Sequence, residues 1–142
     1  MELDYAFLAD RASRSQDGRL FVFGGDIDNV EAAGFPALLQ CTLVARMLLY
    51  PHEDLDGHNY AIDFTSPSGE RKRILEPQPL NTLRGGGELP SGSGLTVSLT
   101  LGIRSPGHLL IHLIVDDREM KTFTVAVASP RAEGPVKQEE AR

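Results

Sequence analysis

Apolar and polar positions alternate most clearly between Leu95 and Ala128, in three segments that each repeat with a period of two. Leu95, Val97, Leu99, Leu101 and Ile103 are apolar, with Thr96, Ser98 and Thr100 between them. Beyond Ser105-Pro106-Gly107, Leu109, Ile111, Leu113 and Val115 form one face, and His108, Leu110, His112 and Ile114 the other. Asp116-Asp117-Arg118 then closes a hairpin onto Phe123, Val125 and Val127. Successive side chains of a strand point to opposite faces, so this pattern predicts one layer of an antiparallel β-fold.

Upstream, the pattern predicts a first strand over residues 3–9, with Leu3, Tyr5 and Phe7 on one face. Asp17-Gly18 suits a turn with positive φ. Leu20-Phe21-Val22-Phe23 is apolar on both faces, as expected of a strand covered on both sides, and Gly24-Gly25 ends or bulges it. Residues 38–50 fit a helix through Leu38, Cys41, Ala45, Leu48 and Leu49, or a strand with Leu43, Ala45, Met47 and Leu49 inward. The neighbouring strand patterns and the terminating Pro51 favour the strand.

His58, Tyr60, Ile62 and Phe64 share one face of a further strand, and Pro67-Ser68-Gly69 turns residues 70–75 back against it. Residues 76–94 lose periodicity and carry three Pro, five Gly and two Ser, the composition of a long irregular loop. From Ser129 onward the chain is charged and aperiodic. The expected architecture is an all-β antiparallel sandwich of about eight or nine strands, Greek-key or immunoglobulin-like. It forms a single domain over residues 1–129, followed by a disordered tail over residues 130–142.

Composition narrows the function classes. The 142-residue length suits one hydrophobic core. The net charge of −6 opposes a nucleic-acid binder, which needs a basic face to displace counterions from phosphates. Arg71-Lys72-Arg73 is the one tight basic cluster, expected as a solvated strand edge. A single cysteine, Cys41, cannot form an intrachain disulfide and fits a reducing compartment. No run approaches the ~20 apolar residues that span a bilayer. The chain is therefore expected to be cytoplasmic, without membrane or nucleic-acid partners.

Several motifs carry ligand-type residues. His52, Glu53, Asp54, Asp56 and His58 cluster in one acidic segment, but their spacing is not that of a calcium loop. His108, His112 and Asp116 would converge on a helix, yet on a strand residues four apart lie ~13 Å from each other. Cys41 has no base nearby in sequence and suits the core. Gly85-Gly86-Gly87 and Gly92-Ser93-Gly94 lack the Lys-Ser/Thr of a phosphate loop and are expected as flexible loop. Asp26 and Asp28 follow a strand at a separation suited to a carboxylate pair, beside the expectation that Gly24-Gly25 is a structural bulge.

Met1-Glu2-Leu3-Asp4-Tyr5-Ala6-Phe7-Leu8-Ala9-Asp10, with Asp17-Gly18-Arg19-Leu20-Phe21-Val22-Phe23-Gly24-Gly25 and Ile27-Asp28, resembles an uncharacterised family of small bacterial β-proteins. Phe35-Pro36, Leu43 to Arg46, His58, and Pro106-Gly107 through Val115-Asp116 extend the resemblance over most of residues 1–128. Where that family commonly has Asp-Gly in the last hairpin turn, this chain has Asp116-Asp117, which implies a less relaxed turn. The resemblance implies a cytosolic bacterial protein and transfers no catalytic residue.

What remains are surfaces. The expected function is a non-catalytic protein-interaction or assembly module, with a protein partner or self-association through Phe35, Leu38, His108, Leu110, His112 and Ile114. One alternative is a small-ligand or carbohydrate site built on Tyr5, Tyr50, Tyr60 and Phe64. Another is a hydrolase using His58 with Asp26 or Asp28. No catalytic residue, metal ligand or cofactor is assigned.

Overall fold

A computed structural model describes residues 1–54, 56–80 and 90–130. Nine strands follow in order: β1 (Glu2–Arg14), β2 (Leu20–Gly25), β3 (Asn29–Glu31), β4 (Ala37–Leu49), β5 (Asn59–Thr65), β6 (Arg71–Pro79), β7 (Ser91–Ile103), β8 (Gly107–Val115) and β9 (Arg118–Ala128). They form two sheets, ordered β2-β1-β4-β7 and β3-β9-β8-β5-β6. Every pairing is antiparallel except β3 with β9. No helix long and apolar enough to cross a membrane occurs among the described residues.

The period-two faces meet between the sheets. Leu43, Ala45, Met47, Leu95, Leu99, Leu101 and Ile103 from the first sheet pack against Ile62, Phe64, Leu109, Ile111, Leu113, Val115, Phe123, Val125 and Val127 from the second. This is the core of an all-β sandwich, with the inward set between Leu95 and Val127 placed as the alternation requires. Residues 38–50 are strand β4, which registers against β7 from Ala37↔Ile103 to Leu49↔Ser91. A helix would have turned Cys41 and Leu43 to different faces, whereas both are buried here on one. The Cys41 thiol is held in its neutral form, its pKa pushed up to about 11 by burial and by the Asp10 carboxylate.

Three expectations are corrected. Leu20 to Phe23 is not covered on both sides: β2 is an edge strand, with Phe21 51% and Phe23 63% exposed. The irregular stretch over residues 76–94 is shorter than expected, because β6 runs to Pro79 and β7 begins at Ser91. Gly92-Ser93-Gly94 is therefore strand, held by pairing with Met47 and its neighbours. Local glycine content argues against a strand, but a long hydrogen-bonded partner overrides it. Gly85-Gly86-Gly87 and the tail from residue 131 lie outside the described residues.

β1 is sharply bent. It pairs with β4 from Glu2 to Ala9, then with β2 alone from Arg11 to Arg14. Tyr5 and Arg14 would stand ~30 Å apart on a straight strand. Instead Arg14 Nη2 donates to Tyr5 Oη at 3.1 Å. The β1–β2 hairpin thus folds back over the outer face of the first sheet.

Candidate functional site

The outer face of the second sheet carries a polar row with a buried centre, at Asp63 and His112. Cross-strand register aligns Thr122 of β9, His112 of β8, Asp63 of β5 and Arg73 of β6. The next row aligns Thr124, Leu110, Thr65 and Arg71. A bulge in β9 opposite Leu113 and Ile114 makes Met120 the extra residue. Glu119 and Thr122, three apart, can then share the outer face.

His112 is only 4% exposed. Its Nδ1 lies 2.8 Å from Glu119 Oε1, and its Nε2 lies 2.7 Å from Thr65 Oγ1. Arg71 bridges the two carboxylates, with Nε 3.0 Å from Asp63 Oδ2 and Nη2 3.0 Å from Glu119 Oε1. Arg73 Nε donates to the other Asp63 oxygen. Burial would raise the pKa of Asp63, but hydrogen bonds from Arg73 and Arg71 outweigh it and hold the carboxyl below its ordinary range. Burial likewise opposes ionisation of Glu119, and Thr122, His112 and Arg71 together hold its pKa down.

Thr65, His112 and Glu119 stand in the order hydroxyl, imidazole, carboxylate that activates a nucleophile. Acyl transfer also needs backbone N–H donors aimed at the developing oxyanion. Both β5 and β8 are interior strands with neighbours on each side, so their amides point along the sheet toward those neighbours and not at the outer face. The arrangement closes a polar network around the buried His112 and Asp63, with Arg71, Arg73 and Glu119 partly exposed at its rim and each charge partnered.

This network covers the second face of β8 only in part. Ile114 is 8% exposed, Leu110 is half-buried and His108 is exposed. At His112 the cover comes from side chains of the neighbouring strands. Arg71 and Arg73 are thus ion-paired, more than the solvated edge expected of the basic cluster. The signal in the sequence was Asp63 itself, a carboxylate inside the apolar run Ala61-Ile62-Asp63-Phe64.

His58 belongs elsewhere. Its Nδ1 lies 2.5 Å from Asp116 Oδ2, and its Nε2 lies 2.7 Å from the Asp54 carbonyl oxygen. Asp28, by contrast, accepts through its carbonyl from Ala126 N at 2.9 Å. Ala126 and Asp116 mark opposite ends of the β8–β9 hairpin, about 25 Å apart along the strands. Asp26 lies with Asp28 along a groove between β1 and β9, beside Lys121 and Phe123. Neither aspartate is among the partners of His58. Of Tyr5, Tyr50, Tyr60 and Phe64, only Phe64 lines a described cleft, a polar one of about 310 Å³ with Ser66, Glu70, Lys72 and Arg104. Among the described residues, no group of three or more His, Cys, Asp or Glu could hold a metal ion.

Among the described residues, the exposed apolar surface is on the first sheet. Phe21, Val22, Phe23 and Leu38 are its large exposed apolar residues, with Leu38 at 72%. Phe21 and Phe23 border a shallow groove of about 390 Å³ with Arg11, Ser13, Thr42 and Ser98. Leu38 follows on the same face of β4, ~13 Å from Thr42. Phe35 is half-buried and packs against the core.

Comparison with curated proteins and with solved structures finds no match. A family match covers residues 4–128, from β1 through the end of β9, and the chain belongs to that family, DUF6941, a family of unknown function.

Proposed function

We propose that this chain is a non-catalytic binding module that engages a protein partner along β2 and the adjoining groove. The observation that carries this reading is the contrast among the strands at the sheet edges. β6 carries Arg71, Lys72, Arg73, Pro77 and Pro79, and β3 is three residues long, both devices that discourage edge pairing. β2 reads Leu-Phe-Val-Phe-Gly-Gly, with neither charge nor proline. β7 is also uncharged, but only β2 adds two exposed phenylalanines to its open edge. A partner strand pairing with β2 gains main-chain hydrogen bonds, and its side chains cover Phe21 and Phe23.

A photo-crosslinking residue in place of Phe23 tests this in native lysate, with the same residue at Lys72 as the control. A discrete adduct from position 23, absent from position 72 and competed by unlabelled protein, is expected. Equal labelling from both positions, or none from position 23, overturns the reading.

A further inference from the structure

Two arginines lie on two glycines at the outer face of β7. Gly92 and Gly94 are two apart, so they share that face about 6.6 Å from each other. An alanine methyl at 92 would sit 2.5 Å from Arg46 Nη2, and one at 94 would sit 2.7 Å from Arg14 Cζ. Each guanidinium therefore occupies the space that a side chain of β7 would fill. This gives the Gly-Ser-Gly sequence a structural role, since glycine in a strand marks a place where another group approaches the backbone closely.

The two cations differ in their partners. Arg46 Nη1 is paired with Asp4 Oδ2 at 2.7 Å. Arg14 has no carboxylate partner among the described residues: its Nη2 donates to Tyr5 Oη, and its Nη1 stands 3.4 Å from the Gly18 carbonyl oxygen. Its Nε is buried without a hydrogen-bond partner, and so is Thr96 Oγ1, the next outward position along β7. Tyr5 Oη accepts from Arg14 and retains its own proton to donate. A buried, unpartnered donor on a cation is an incomplete arrangement.

We propose that Arg14 and Arg46, set on Gly94 and Gly92 beside Tyr5 and Thr96, form a binding site for a carboxylate. Asp4 pairs with Arg46 and Glu2 of the Gly92 row bonds Tyr50, so Arg14 is the guanidinium left for a monoanion. The planar forks present parallel N–H donors that match the two oxygens of a carboxylate. The Tyr5 hydroxyl supplies a further donor, and Thr96 Oγ1 is buried on the same face beside Gly94. The carboxylate belongs either to a small organic acid or to a glutamate of a polypeptide, and the two sources share this chemistry.

The Arg14 Nε–H resonance of the full-length ¹⁵N-labelled protein reports directly on the site. Succinate and a blocked peptide containing one glutamate are titrated separately, with inorganic phosphate as a third probe. A saturable shift with either carboxylate is expected, and the tighter of the two identifies the source. Arg14→Gln and Gly94→Ala should each weaken binding about tenfold or more, read for these variants from other amides that shift on the same face. Gly94 does not have a positive φ, so alanine is compatible with its backbone, and the variant keeps every charge while displacing the guanidinium. Arg104→Gln, on the cleft beside β6, should bind as the parent protein does. The assignment is overturned by any of three results: no saturable shift with either carboxylate, undiminished binding in Arg14→Gln and Gly94→Ala, or phosphate binding about tenfold tighter than both carboxylates. No partner protein enters the titration, so its outcome is separate from that of crosslinking at Phe23.

Discussion

His58 and Asp116 join the start of β5 to the turn between β8 and β9, with Nδ1 and Oδ2 2.5 Å apart. The second Asp116 oxygen accepts from Asn59 N at 2.9 Å, so one carboxylate pins two consecutive residues. The Asp116 hydrogen bond, with the Asp54 carbonyl behind it, raises the His58 pKa above its ordinary 6.5. Burial works against ionisation of Asp116, but His58, Asn59 N–H and Arg118 outweigh it and hold its pKa below 3.8.

The sign of the pH dependence follows. His58 binds its proton more tightly folded than unfolded, so its contribution is fully present below pH ~6.5 and is lost as pH rises through the folded value. Asp116 acts at the other end, its contribution lost as pH falls through its lowered folded value. Urea unfolding should therefore separate the parent protein from His58→Gln more at about pH 5.5 than at about pH 8.5. Solvent screening at this partly exposed pair keeps the difference under about 1 kcal/mol. A gap that widens toward alkaline pH contradicts the assignment.

The same turn holds Asp116 at φ 51° and Asp117 at φ 64°, both left-handed. This is the two-residue hairpin conformation in which Asp-Gly is favoured, and Asp-Asp is the less relaxed choice. Asp116 is committed to His58, whereas Asp117 is exposed. Asp117→Gly should raise stability by about 1 kcal/mol or less, because relief at positive φ exceeds the entropy that glycine adds to the unfolded chain. Asp116→Gly should lower it. Thermal melts of the two variants at neutral pH give opposite shifts.

Leu43 illustrates what the sequence makes legible. Its place in the period-two set with Ala45 and Met47 is a local property, and all three are fully buried. Phe21 illustrates the limit, since an uninterrupted apolar run looks alike in a covered strand and in an edge strand. What distinguishes them here is the bend of β1 near Ala9, which lifts the hairpin off β4. Gly92 and Gly94 fail for a related reason. Their strand character comes from pairing with Leu48 and Arg46, far away in sequence.

Exposure and burial make opposite demands on two substitutions. Leu43→Ala deletes a fully buried side chain at the centre of the sandwich and should cost about 2–5 kcal/mol. Changing Phe21 and Phe23 together to serine should cost less, about 2 kcal/mol at most, because half or more of each residue already faces water. Chemical denaturation of both variants checks the pair. A large loss in the double serine variant would show that these rings support the fold and would remove the basis for a partner surface on β2.

Asp63 provides the last test, because it lies between two arginines that have unequal alternatives. Arg71 retains Glu119 at 3.0 Å if Asp63 is removed, whereas Arg73 has no second carboxylate among the described ion pairs. The Asp63 side chain is 12% exposed and the arginines 37–44%, so the arginines keep part of their hydration. Asp63→Ala should then cost about 1–3 kcal/mol, less than a fully buried pair. Adding Arg73→Leu should recover part of that loss, because it removes the cation left without a partner. Adding Arg71→Leu should recover less, since Glu119 and His112 would then lose a neighbour. Equal recovery by both second substitutions would show that Arg71 is not the bridge between the two carboxylates.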